Sequence, residues 1–204
     1  KALEYFEKAR QYDPLDALNY LAESFCYTSA GKFDIARILL QEALKFDRTL
    51  GLVFDCLDYM AIQDGNYELL ISELNKSVSL FPNWAEGHYR LACIYKDRNE
   101  TDKALKFFEE ALSIDPYTAE SHLSFGYLYL YNYNPPKLDE AIKEFDRVIS
   151  LNPGIAGAYN GLAQCYHYKG ELEKALQFAT KAVEMEPENF ASHFSLSLIY
   201  ESMG

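Results

Sequence analysis

Apolar and polar positions along this chain follow a helical period, and blocks of that pattern come in two alternating kinds. In the first kind an aromatic or His is followed seven residues later by a second aromatic: Tyr20 and Tyr27, His88 and Tyr95, His122 and Tyr129, Tyr159 and Tyr166, His193 and Tyr200. Seven residues is two helical turns, so both rings share one face. Between them a large apolar residue stands beside a small one, which lets a neighbouring helix approach closely: Leu91 with Ala92, Phe125 with Gly126, Leu162 with Ala163, Leu196 with Ser197. The second kind carries a small–large–small triplet on one helix face. Its copies are Ala2, Phe6, Ala9; Ala36, Leu40, Ala43; Ala104, Phe108, Ala111; Ala141, Phe145, Val148; and, with the middle residue shifted by one, Ala175, Phe178, Ala182.

Six short segments punctuate the blocks, ending at Pro14, Arg48, Pro82, Pro116, Pro153 and Pro187, with spacings of 34, 34, 34, 37 and 34 residues. A period in this range marks stacked repeats, in which each unit buries its apolar flank against the next. The prolines end helices of the second kind, because the residue before Pro avoids the α region. The pattern predicts helices near 1–13, 16–30, 33–46, 50–63, 67–80, 84–97, 101–114, 118–132, 137–151, 155–168, 171–184 and 189–203. Gly31, Gly65, Gly170 and Gly204 follow helices of the first kind, where a left-handed cap favours Gly.

Taken together, the paired aromatics, the Ala–Phe–Ala triplets and the terminal Pro resemble the tetratricopeptide repeat along the whole chain. The resemblance implies an all-α fold, a right-handed superhelical solenoid of antiparallel helix pairs. It implies one array over 1–204: a second helix of a partial repeat (1–14), full repeats 15–48, 49–82, 83–116, 117–153 and 154–187, and the first helix of a partial repeat (188–204).

Three places depart from the pattern. In 51–84, Asp58 stands where other repeats have a tiny residue, Leu70 replaces an Ala, Ala61 replaces the second aromatic, and Arg48 replaces the preceding Pro. Drift around a preserved fold and a less stable joint both account for that. Three extra residues fall in Asn132-Tyr133-Asn134-Pro135-Pro136, read either as a tolerated insertion or as a lip on a groove presenting Tyr131 and Tyr133. Finally, the chain opens at Lys1 inside a second helix and closes at Gly204 after a first one. This gives two expectations, head-to-tail self-association through the terminal helices or an excerpt of a longer protein. The opening, KALEYFEKAR, has neither an initiator Met nor a signal-type apolar region.

Net charge is −12, from 19 basic and 31 acidic residues, which argues against nucleic-acid binding because phosphate recognition needs clustered positive charge. No apolar run reaches the length that spans a bilayer, so membrane insertion is not expected. Cys26, Cys56, Cys93 and Cys165 form no CxxC pair, so neither a zinc site nor a disulfide framework is expected, and reduced thiols fit a cytoplasmic setting. The sequence holds no Gly-rich phosphate loop, HExxH or GxSxG. His88, His122 and His193 occupy ring positions of the repeat and read as packing residues, and His167 lacks a second ligand one turn away. No catalytic residue, cofactor or metal is expected, and the chain reads as a non-enzyme.

In the family, ligands lie along the surface lined by the first helix of each pair. The matching positions here are Leu21, Phe25, Asp55, Tyr59, Tyr89, Leu123, Tyr127, Tyr131, Asn160, Gln164, Tyr168 and Phe194, a groove rich in rings. Exposed Tyr mixed with hydrogen-bonding groups suits peptide recognition. The Lys, Asn and Arg set with which some relatives clamp a terminal carboxylate is missing, Arg90 alone matching in type. An Asn ladder for peptide backbone is missing too, its column reading Ala22, Cys56, Arg90, Ser124, Gly161 and Ser195. The leading expectation is a protein–protein interaction scaffold taking a basic or apolar peptide or partner segment. The alternatives are a structural module that self-associates end to end, and a non-catalytic targeting module of a larger enzyme.

Overall fold

The computed structural model describes the backbone of residues 2–204 and side chains from Glu4 onward, so Lys1 and the Ala2 position of the first triplet lie outside the described side chains. The described residues form twelve helices and no strand: α1 (Ala2–Tyr12), α2 (Ala17–Ser29), α3 (Phe33–Phe46), α4 (Gly51–Asp64), α5 (Glu68–Leu80), α6 (Ala85–Asp97), α7 (Thr101–Ile114), α8 (Ala119–Tyr131), α9 (Leu138–Leu151), α10 (Ala156–Tyr168), α11 (Leu172–Met185) and α12 (Phe190–Met203). The fold is all-α, a helical repeat built of helix hairpins. None of the described helices is long and apolar enough to cross a membrane. The chain divides into two compact units, one running to Gly87 and the other from His88.

Hairpin turns follow one recipe. Gly31, Gly65 and Gly170 take φ of 69°, 72° and 75°, a left-handed conformation that costs a Cβ-bearing residue and costs Gly nothing. Asn99 does the same job at φ 56°, Asn being the side chain that best tolerates this region.

The Pro anchors have a second role. The carbonyls of four of them accept a hydrogen bond from a ring six residues on: Tyr20 Oη to Pro14 at 3.0 Å, His122 Nε2 to Pro116 at 3.2 Å, Tyr159 Oη to Pro153 at 3.2 Å and His193 Nε2 to Pro187 at 2.8 Å. A ring that can donate serves this position in these four copies, which explains why His substitutes for Tyr there, whereas the irregular repeat carries the buried Phe54 in the same place. The other nitrogen of His122 faces Glu144 Oε2 at 2.6 Å, and His88 Nδ1 faces Glu110 Oε2 at 3.0 Å.

In the first unit, Ala36, Leu40 and Ala43 of α3 are fully buried, as the triplet predicts. Leu70 and Ala61 are buried as well, so the irregular repeat gives up a ring at one core position and gains a larger side chain at another. Arg48 reaches Glu73 on α5 at 3.2 Å, and Lys76 and Gln41 reach the same buried carboxylate at 2.8 and 3.4 Å. Loss of the Pro there is thus tied to a charge network.

Within the second unit, Phe108 stacks on Phe125 at 5.4 Å, and Phe145 lies wedged between two glycines. A Cβ at Gly126 would stand 2.7 Å from its ring, and one at Gly161 only 2.4 Å. The expected triplet of α11 is corrected here: Ala175, Ala179 and Ala182 form the buried seam, while Phe178 stacks on Tyr166 at 5.5 Å. Phe107 makes the same stack on Tyr95 at 5.6 Å, so Phe178 answers to Phe107 and not to Phe108. The insertion is folded down as well. Tyr133 stacks on Tyr129 at 5.9 Å with Lys137 Nζ 4.1 Å over its ring, and Asn132 Nδ2 donates to Lys96 O at 2.9 Å across the preceding turn.

Candidate functional site

Helical spacing of four places Leu123, Tyr127 and Tyr131 on one face of α8, and Asn160, Gln164 and Tyr168 on one face of α10. On α12 the same spacing aligns Phe190, Phe194 and Leu198. Hydrogen bonds stitch these faces together. Tyr127 Oη donates to Gly157 O at 2.8 Å, Tyr131 Oη donates to Gln164 Oε1, and Gln164 Nε2 donates to Ser195 Oγ at 3.2 Å. Toward α6, Tyr89 Oη lies 3.2 Å from Ser124 Oγ. Ser124 and Ser195 stand out in the sequence only as places where an Asn ladder is missing; here they are the polar ends of cross-helix bridges. The Tyr127 hydroxyl reaches the Gly157 carbonyl without crowding, since a Cβ at Gly157 would still stand 3.8 Å from it.

The twelve expected positions separate into three sets by burial. Tyr131, Tyr168 and Phe194 are 57%, 60% and 54% exposed, and in the first unit Phe25 and Tyr59 are 45% and 51% exposed. Asp55 is exposed too, whereas Tyr89, Leu123, Tyr127 and Gln164 are half-buried. Leu21 and Asn160 lie in the interior, only 3% and 5% exposed. Leu21 therefore packs the fold. Asn160 is different, because its buried Oδ1 finds no donor among the described residues, although buried polar atoms are nearly always paired. Tyr131 and Tyr133 do not form a joint lip: the first joins the α10 face, and the second lies on Tyr129.

Ring geometry gives this face its character. Tyr127 and Tyr131 stack 5.7 Å apart at 2°, Tyr127 meets Phe145 edge-on at 5.0 Å, and Phe190 stacks on Phe194 at 6.0 Å. Burial, with Cys93 adding to it, pushes the Tyr89 phenol up to about 12. Tyr127 is driven higher still by burial and by Tyr131, against the pull of a hydrogen bond with the Asn160 side chain. Burial likewise raises Tyr131, its bond to Gln164 opposing. All three phenols therefore stay neutral donors at physiological pH.

Surface pockets of about 560, 590 and 400 Å³ open elsewhere, beside Arg48 and Lys76, over the Pro135–Pro136 insertion, and at the Gly31 turn. Among the described residues no group of three or more His, Cys, Asp or Glu is placed to hold a metal ion.

Comparison with known proteins agrees with this anatomy. The tetratricopeptide repeat family model matches residues 85–117 and 156–189. Hsp70-Hsp90 organizing protein 3 of Arabidopsis thaliana is 25% identical over 191 residues, covering 92% of this chain but 34% of that protein. The chain thus spans about a third of that relative's length. Among solved structures, yeast Tom70 superposes with a TM-score of 0.76 at 18% identity, over 98% of this chain and 42% of its own. YrrB, a TPR protein with an unusual peptide-binding site, superposes with a TM-score of 0.66 at 23% identity, over 95% of this chain and 98% of its own. These likenesses at low identity show the fold. The helix pair of the two matched segments recurs before, between and after them, and the chain is a tetratricopeptide-repeat protein.

Proposed function

We propose that the chain is a protein–protein interaction scaffold whose first-helix faces bind an extended partner segment, without catalysis. The observation that carries this reading is the exposed ring row of the second unit, Tyr131, Tyr168 and Phe194, on helices tied together by the Tyr131–Gln164 and Gln164–Ser195 hydrogen bonds. Large rings half in water are poorly used by a fold that needs only packing, and they suit contacts that bury rings at low entropy cost. The peptide-binding site of YrrB and the chaperone-organising role in the name of the Arabidopsis relative are in keeping with it.

The test is quantitative cross-linking of partners with the wild-type chain and with Tyr131→Leu, Tyr168→Leu and Phe194→Ser, each checked for unchanged helical content. Partners retained equally by all of them would refute the assignment. Tyr127 is a poor choice for this purpose, because its hydroxyl and ring also hold α8 to α10 and Phe145.

A further inference from the structure

We propose that the face built by α8, α10 and α12 recognises a cationic, arginine-bearing segment of a partner protein, a specificity that rests on the binding role given above. Three independent features of the second unit converge on that chemistry. First, α8, α10 and α12 together contain neither Lys nor Arg, while Glu120 stands in the first turn of α8. The second helices of the same unit each carry two cations, Lys103 and Lys106, Lys143 and Arg147, Lys174 and Lys181. Within these three helices the ring-bearing surface is thus free of cationic side chains, the nearest first-helix cations being Arg90 and Lys96 on α6.

Second, that surface presents aromatic rings more than half exposed at Tyr131, Tyr168 and Phe194. An aromatic face attracts a guanidinium through its quadrupole, and Arg also stacks on it as a plane. The fold already uses this interaction elsewhere: Lys181 Nζ lies 4.4 Å from the centre of the Tyr159 ring and Lys174 Nζ 5.1 Å from that of Tyr166. Those rings are supplied by the chain's own lysines; Tyr131, Tyr168 and Phe194 lie on helices that have none. Third, the buried Asn160 Oδ1 beside Tyr127 is an acceptor that finds no donor among the described residues. A guanidinium brings both a flat cationic face and up to five N–H donors, whereas an acidic segment would add only acceptors to a surface already facing Glu120. Net charge of −12 favours encounter with such a partner.

The experiment is fluorescence anisotropy with the labelled peptide GSRPLSRPLSRG and with versions in which every Arg is replaced by Gln or by Glu. Each is titrated with the wild-type chain and with the double variant Tyr131→Leu, Tyr168→Leu, whose net charge is unchanged. Each ring engaged should contribute about two- to five-fold in affinity. The Arg peptide should therefore bind about ten-fold tighter than the Gln peptide, the Glu peptide should be weakest, and the double variant should lose most of the Arg preference. Equal binding of Arg and Gln peptides, both lost in the double variant, would overturn the cation preference and leave the binding face standing. Arg binding that survives in the double variant would mean attraction to the acidic exterior at large, which also overturns it. Failure of all three peptides to bind would overturn it as well, and the cross-linking comparison would then judge the face itself.

Discussion

Replacing Gly161 by Ala adds one methyl to the middle of α10, and two effects oppose each other. Ala is favoured over Gly in a helix interior by about 0.8–1 kcal/mol. Against this, the new Cβ would stand 2.4, 2.6 and 2.6 Å from three carbons of the Phe145 ring. That ring is fully buried and meets Tyr127 edge-on at 5.0 Å, so it has little room to retreat. Overpacking of this kind costs about 1–3 kcal/mol and more where the neighbour is hemmed in, so the expected net result is a loss of about 1–2 kcal/mol. Gly157, one turn earlier in the same helix, is the internal control. A Cβ there would meet Leu123 and Tyr127 at 3.6 Å and beyond, which is ordinary contact, so Gly157→Ala should stabilise by a few tenths to about 1 kcal/mol. The assay is urea unfolding followed by far-ultraviolet circular dichroism, with amide exchange in α9 and α10 to locate the effect. Trp84, the chain's single Trp, lies in the other unit and does not report on it. Adding Phe145→Leu should recover part of the Gly161→Ala loss. A Gly161→Ala variant as stable as Gly157→Ala would refute the wedge.

Four further outcomes follow from the buried groups. Ser77 occupies a fully buried position held by Ala43, Ala111 and Ala182 in other repeats, and its hydroxyl finds no partner among the described residues; Ser77→Ala should raise stability by about 1 kcal/mol, read from Trp84 fluorescence in urea. Burial alone would raise the Glu73 carboxyl, but hydrogen bonds from Lys76, Arg48 and Gln41 outweigh it and hold it below the ordinary 4.5. Its stabilisation is therefore complete above that pH and lost as pH falls through the lower folded value. Glu73→Gln should cost about 1–3 kcal/mol at pH 7 and flatten the acid limb of the stability profile. Glu23 shifts the other way: burial, with Arg10 only partly opposing, raises its carboxyl, so ionisation there costs stability as pH rises through the folded value. Glu23→Gln should accordingly raise neutral-pH stability, and a loss as large as that of Glu73→Gln would contradict the sign. Phe108→Ala, at a fully buried ring stacked on Phe125, should cost about 3–5 kcal/mol by thermal or urea unfolding.

Much of the architecture was legible because each cue was local and repeated. Helix ends agree with the structure to within a residue or two, and Gly31, Gly65 and Gly170 take the left-handed turn expected of them. The cues that misled were those in which two residues are locally interchangeable. Phe178 and Ala179 both sit on the inner flank of α11, and only their partners tell which is the seam and which the stack on Tyr166. Arg48 reads in the sequence as a lost Pro, and only its partner Glu73, 25 residues later and 3.2 Å away, gives it a role. On the candidate face, ring content was readable by spacing, but exposure was not. Leu21 and Phe25 are one turn apart, yet the first is 3% and the second 45% exposed.

By itself, then, the sequence determined helix type, helix length, repeat register and the aromatic character of alternate helices, because these follow from periodicity within a few turns of chain. The tertiary structure decided what no spacing encodes: that Tyr127 and Tyr131 stack while Tyr133 turns away, that Gly126 and Gly161 exist to admit one ring, and that Asn160 is buried with an acceptor unmet. Each of these depends on which neighbour arrives across a gap of tens of residues, and packing density leaves room for only one answer at each contact.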